Sequence, residues 1–127
     1  MFLIKQIKNQ NKYKNIKTKI DNISFDSKKE AKRYEELKLL QKNNVIKDLQ
    51  LQKKFILQEK FILDFKTYRE ISYIADFYYY DNEKQKYIIE DVKASKYFQD
   101  DVYKLKKKLL LNKYIVFNDN IEFKEII

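Results

Sequence analysis

The stretch Tyr73-Ile-Ala-Asp-Phe-Tyr-Tyr-Tyr-Asp-Asn-Glu-Lys-Gln-Lys-Tyr-Ile-Ile-Glu-Asp-Val-Lys93 reads as two β-strands joined by a polar turn over Asp81 to Lys86. Tyrosine, isoleucine and phenylalanine fill the strand positions, which is where such side chains pack best. Side chains alternate along a strand, so Ile89, Asp91 and Lys93 share one face while Ile88, Glu90 and Val92 share the other. Ile74, Asp76 and Tyr78 form one face of the preceding strand. A symmetric turn pairs Tyr80 with Tyr87, and counting back sets Asp76 opposite Asp91. Two carboxylates roughly 5 Å apart across a ladder repel each other. A divalent cation between them would turn that repulsion into binding, and Lys93 would point toward the same spot. The plain alternative is that both acids decorate a half-exposed hairpin. Against it, Asp76 and Asp91 sit inside apolar runs rather than at turns, where acids are depleted unless something holds them.

The rest of the composition narrows the chemistry. The 127 residues suit one domain, and they contain no Gly, Pro, Cys, His or Trp. Without Cys and His there is no disulfide framework, no ordinary zinc site and no Ser-His or Cys-His nucleophile. Oxygen ligands remain, which favours a hard cation, Mg2+ or Mn2+. Asparagine must serve where glycine normally would, and Asn22 and Asn43-Asn44 are the natural places for left-handed backbone. No apolar run is long enough for a membrane span, and Met1-Phe-Leu-Ile4 is too short for a signal peptide. The net charge of +9 is uneven: Lys5, Lys8, Lys12, Lys14, Lys17 and Lys19 face no acid in the first twenty residues. A basic arm over 1–15 followed by a single domain over 16–127 suits a polyanionic partner, with a generic solvated surface as the alternative.

Along the chain, Ile16 to Phe25 predicts a small hairpin turning at Asp21-Asn22. Ser27 to Gln41 predicts a helix with Ser27 as N-cap and Ala31, Tyr34 and Leu37 along one stripe. Ile46 to Leu57 alternates as a strand, and Phe61 to Phe65 predicts another. A second helix over Gln99 to Asn112 is expected to turn Val102, Leu105, Leu109 and Asn112 inward and Lys104, Lys107 and Lys108 outward. Tyr114 onward predicts a strand, a turn at Asn118-Asp119-Asn120 and a final strand. The fold class is α/β, a mixed central sheet flanked by helices. Glu30 lies on the apolar stripe of the first helix and is a third acid of interest. Ser27-Lys-Lys-Glu30 is equally a capping box, in which Glu30 only bonds back to the Ser27 amide.

An acid early in the first helix, Asp76 in one strand and Asp91-Val-Lys93 in the next resembles the PD-(D/E)XK nuclease superfamily, with its restriction-endonuclease-like core. More narrowly the chain is similar to a phage-associated family of small proteins in it. The similar stretches are Asn11 to Thr18, Phe25-Asp-Ser-Lys-Lys-Glu-Ala-Lys-Arg-Tyr34, Ile46 to Gln52, Tyr73-Ile-Ala-Asp-Phe77, Glu90-Asp-Val-Lys93 and Val102-Tyr-Lys-Leu-Lys106. Ala75 stands where the motif has proline. The resemblance implies that Asp76, Asp91, Lys93 and Glu30 are catalytic. It implies that Asp76, Asp91, the Val92 carbonyl and Glu30 hold the metal, and that Lys106 is a basic residue some members use. It also implies a Mg2+-dependent DNA endonuclease acting on branched DNA, similar to Holliday junction resolvases and working as a homodimer. The expected setting is the cytoplasm of a bacterial or phage-infected cell. Lys12, Lys14, Lys104, Lys106, Lys107 and Lys108 would hold the phosphate backbone without reading bases. Two other readings stay open: a catalytically inactive nucleic-acid-binding module that clamps single strands with Tyr78 to Tyr80, and a structural phage protein.

Overall fold

A computed structural model describes residues 17–94 and 99–127. The whole arm over 1–15, with Lys12 and Lys14, lies outside the described residues. The chain forms two compact units, one ending at Leu39 and the other running from Leu40 to Ile127.

In the first unit, β1 (Thr18–Ile20) and β2 (Ile23–Phe25) pair antiparallel around Asp21 and Asn22. Both turn residues have positive φ, 53° and 63°, which a two-residue hairpin turn requires and which Asp and Asn tolerate. α1 (Lys28–Lys42) follows, and the Ser27 hydroxyl oxygen accepts the Glu30 N–H at 3.1 Å, as an N-cap should. Its buried stripe is Glu30, Ala31, Tyr34 and Leu37, matching the expected spacing. The Tyr34 hydroxyl and the Lys38 ammonium both donate to the Asp21 carboxylate, tying the hairpin to the helix.

In the second unit Asn44, at φ 59°, lets α1 stop and the chain turn into β3. Its sheet has the order β3 (Ile46–Gln58), β6 (Ile71–Asp81), β7 (Lys86–Val92), β8 (Ile121–Ile126). β3, β6 and β7 are antiparallel to their neighbours, whereas β8 runs parallel to β7, so the sheet is mixed as expected. A parallel neighbour needs a crossover, supplied here by α2 (Asp101–Leu110) and a π-helical turn over Leu111–Ile115. Asp100 caps α2, accepting the Tyr103 N–H at 2.7 Å. Phe55, Tyr73, Ala75, Ile89 and Leu110 form the buried cluster under this crossover. Leu110 is fully enclosed, so Leu110→Ala would cost about 2–5 kcal/mol.

Three expectations need correction. Phe61 to Phe65 is not one strand: β4 (Phe61–Leu63) and β5 (Lys66–Tyr68) form a separate hairpin with Asp64 and Phe65 at its turn, both at positive φ. The inward face of α2 is also different. Val102 and Leu105 are 63% and 60% exposed, while Tyr103, Lys106, Lys107 and Leu110 turn inward or partly so. The aliphatic stripe had the right helical spacing, but the aromatic ring of Tyr103 and the lysine stems cover more of the sheet than valine and leucine can. Finally, the strand predicted from Tyr114 is helical. Its hydroxyl donates to the Ile56 carbonyl at 2.7 Å, and tertiary packing overrides the β-preference of Tyr-Ile-Val-Phe.

Candidate active site

The β6–β7 ladder runs from Asp81–Lys86 through Tyr80–Tyr87 to Phe77–Glu90, the register counted from the turn. The next pair would oppose Asp76 and Asp91, and there the ladder stops. β6 keeps its pairing with β3, and β7 keeps its pairing with β8 through Val92. The two central strands therefore part as a fork at the two acids. Asp76 closes the gap with its side chain, accepting the Val92 N–H on Oδ2 at 2.8 Å. In an extended strand a residue's N–H and C=O leave on the same side, so the Val92 carbonyl opens toward the fork as well. Opposed carboxylates disfavour a regular pair at this position.

Asp91 is 5% exposed and both its oxygens are engaged. Oδ2 accepts the hydroxyl of Tyr73, and Oδ1 lies 3.1 Å from the Lys93 Nζ. The Lys93 amine also sits 3.5 Å from the centroid of the Tyr103 ring, a close cation–π contact. Tyr103 is fixed in turn: its hydroxyl donates to Glu125 Oε2 at 2.7 Å, while Lys107 and Gln99 donate to the same carboxylate. Burial, then the charge and hydrogen bond of Asp91, push the Tyr73 phenol far above the ordinary tyrosine range. Burial and the bond to Glu125 do the same for Tyr103. Burial works to raise the Glu125 carboxyl, but the bonds from Lys107 and Tyr103 outweigh it and hold it below its usual value.

Asp76, Asp91, Lys93 and Lys106 line one open concavity of about 330 Å³, with Tyr73 and Tyr103 in its wall. Sequence reasoning named the first four and missed both tyrosines. The i, i+3 spacing of Tyr103 and Lys106 was the available signal for Tyr103; Tyr73 is three residues from Asp76, which a regular strand places on the opposite face, so no spacing pointed to it. Lys104, Lys107 and Lys108 line a second concavity of about 490 Å³ beside Gln99 and Asn112. Lys107 is not an outward lysine, because it is paired with Glu125 at 2.7 Å. Tyr79 is buried and Tyr78 stacks on Tyr87 at 5.3 Å, so Tyr78 to Tyr80 is not an exposed clamp. Glu30 belongs to the first unit, buried in the opening turn of α1.

No group of three or more acidic side chains that could hold a metal gathers among the described residues. A hard cation of the Mg2+ type is commonly held by one or two carboxylates with water and substrate phosphate completing its shell. The all-oxygen set of Asp76, Asp91 and the Val92 carbonyl fits that requirement, in a concavity open enough to admit phosphate.

The chain belongs to the family described as protein of unknown function (DUF1064), whose model matches residues 10–125. No curated protein and no solved structure matches it. Among the described residues no helix is long and apolar enough to cross a membrane.

Proposed function

We propose that this protein is a Mg2+-dependent DNA endonuclease, selective for branched DNA and acting in the cytoplasm of a bacterial or phage-infected cell. One observation carries the reading: two carboxylates from separate strands and an amine share a concavity at the point where those strands fork. Asp76, Asp91 and the Val92 carbonyl would hold the ion. When bound, Mg2+ or Mn2+ offsets the negative charge of the phosphate and lowers the pKa of its water. Lys93 would orient the attacking water and stabilise charge developing on the phosphate oxygens. Tyr73 and Tyr103 hold Asp91 and Lys93 in place, which limits reorganisation during the reaction. Lys106 reaches the same concavity and would bind an adjacent phosphate. Lys104 and Lys108 would grip the backbone further along without reading sequence.

Incubating a labelled four-way junction with the protein and magnesium tests this. Symmetric cuts that disappear with Asp91→Ala support the proposal; an intact junction under wild-type protein rejects it. A second reading has its own observation. Both oxygens of Asp91 are occupied by Tyr73 and Lys93, which favours a binding module that keeps the fold without the chemistry. That module would bind junctions equally well with magnesium or EDTA, and Asp76→Asn would leave binding unchanged.

A further inference from the structure

The β4–β5 hairpin is built in a way the concavity at the fork does not explain. It forms its own two-stranded sheet, and all six strand residues are exposed. Ile62 is 69% exposed, Leu63 is 57% exposed, and Phe65 at the turn is fully exposed. Phe65 also holds φ 64°, a costly conformation for a bulky residue, and so displays its ring at the tip. The hairpin is shaped internally by the Phe61 and Tyr68 rings, stacked at 4.7 Å. A two-stranded ribbon with apolar side chains and two open edges is marginal in water until another strand or surface covers it.

Charge indicates what covers it. The chain carries +9 overall, but residues 59–70 hold three acids (Glu59, Asp64, Glu70) and three bases (Lys60, Lys66, Arg69). A locally neutral segment with an aspartate at its turn does not suit a polyanion, and it suits protein. The order of residues on the β4 edge goes further. Folding Lys60-Phe-Ile-Leu-Asp64 antiparallel onto itself about Ile62 sets Lys60 against the Asp64 of the second strand. It also sets Phe61 against Leu63 and Ile62 against Ile62. Each charge meets its opposite, and both faces of the new ladder carry apolar pairs. The two-residue turn closes on Leu63 and Lys66, so the backbone groups of Ile62 face the open edge and can exchange both hydrogen bonds with its copy. Lys60 and Asp64 make no ion pair among the described residues, whereas Glu70 on the β5 side is already paired with Lys54. The exposed stripe Val102, Leu105, Leu109 on α2 is a poorer candidate for self-association: Lys104, Lys106 and Lys108 rim it, and two copies would oppose like charges.

We infer that the β4 edge pairs with the β4 edge of a second copy of this chain, two-fold about Ile62, joining two hairpins into a four-stranded sheet. Such an interface is isologous and small, and so belongs to the weak class. It supplies the symmetric arrangement that paired cutting of a junction would use, but its test needs neither DNA nor metal and is independent of the nuclease reading.

Sedimentation velocity of the full chain, in EDTA and over roughly 1 μM to 1 mM, spans the range in which a weak dimer dissociates. The expected result is a concentration-dependent dimer that Ile62→Lys weakens at least about tenfold, with the melting temperature unchanged because Ile62 is exposed. Lys60→Asp is expected to weaken it as well, and combining Lys60→Asp with Asp64→Lys is expected to restore it. Three results would overturn the inference: a monomer at every concentration, a dimer indifferent to Ile62→Lys or Lys60→Asp, or a charge swap that restores nothing. A chain that stays monomeric and loses junction binding with Ile62→Lys would also overturn it, reassigning the hairpin to nucleic acid.

Discussion

Glu90 and Asp91 are adjacent in β7, both acidic and both buried, yet they face opposite sides of the sheet and meet different surroundings. Each receives a tyrosine hydroxyl, Tyr79 for Glu90 and Tyr73 for Asp91. On the Glu90 side the ladder is intact: Phe77 stands opposite on β6 and Lys124 opposite on β8, and Glu90 is fully enclosed. On the Asp91 side the β6 strand has turned away, Lys93 lies within 3.1 Å, and the carboxylate borders a concavity. In both places the phenol satisfies a buried carboxylate oxygen, so the tyrosine bond alone does not mark a functional acid. The loss of one ladder pair gives Asp91 an opening toward a ligand.

The sharpest way to break this contrast is substitution at both sites. Under the proposed nuclease function, Asp91→Ala is expected to lower magnesium-dependent cleavage by at least about 10²-fold, the scale of losing a preorganised charged group at a reacting centre. Glu90→Gln should leave cleavage per folded molecule nearly unchanged while lowering the melting temperature; equal losses of cleavage in both variants would erase the distinction. Next in size is Tyr79→Phe, which removes a hydrogen bond to a buried charge and should cost about 1.5–3 kcal/mol in urea unfolding.

A smaller effect concerns ionisation. Because the Tyr73 phenol is raised by burial and by Asp91, the folded protein holds that proton where an unfolded tyrosine releases it near 10. Stability is therefore full below pH 10 and falls as pH rises above it. The phenolate absorbance of the folded chain should accordingly lag behind that of the unfolded chain, and Tyr73→Phe should shrink the lag. The smallest expected change is acidic. The Glu125 carboxyl is lowered from 4.5, so its contribution is present above that value and disappears as pH falls through the lower folded value. Lys107→Met should flatten this part of the pH–stability curve; an unchanged curve would show that Lys107 does not hold Glu125.

Much of this was legible in the chain itself. The alternation of Tyr73 to Lys93 and the compact turn were enough to pair Tyr80 with Tyr87 and bring Asp76 to Asp91. Asn22 and Asn44 took up positive φ as expected in a chain without glycine, whereas Asn43 did not and Asp21 did. Residues were misread where local pattern and tertiary packing disagree. Val102, Leu105 and Leu109 carry a helical repeat, but repeat alone does not say which stripe meets the sheet when lysine stems and a tyrosine can do so. The Asp64-Phe65 turn was missed because no glycine or asparagine announced it, and a phenylalanine at φ 64° is not a turn signal.

Sequence alone determined the pairing and register of β6 with β7, the turn between β1 and β2, and which acids and amine lie near the end of the central ladder. Side-chain period and turn length settle these locally. Tertiary structure decided that β6 and β7 separate at Asp76 and Asp91, because each strand has a second neighbour, β3 or β8, that holds it after the shared ladder ends. It also brought Tyr103 and Lys106 to that opening from α2. Contacts between residues distant in the chain depend on how helix and sheet pack, and no spacing along the sequence encodes that packing.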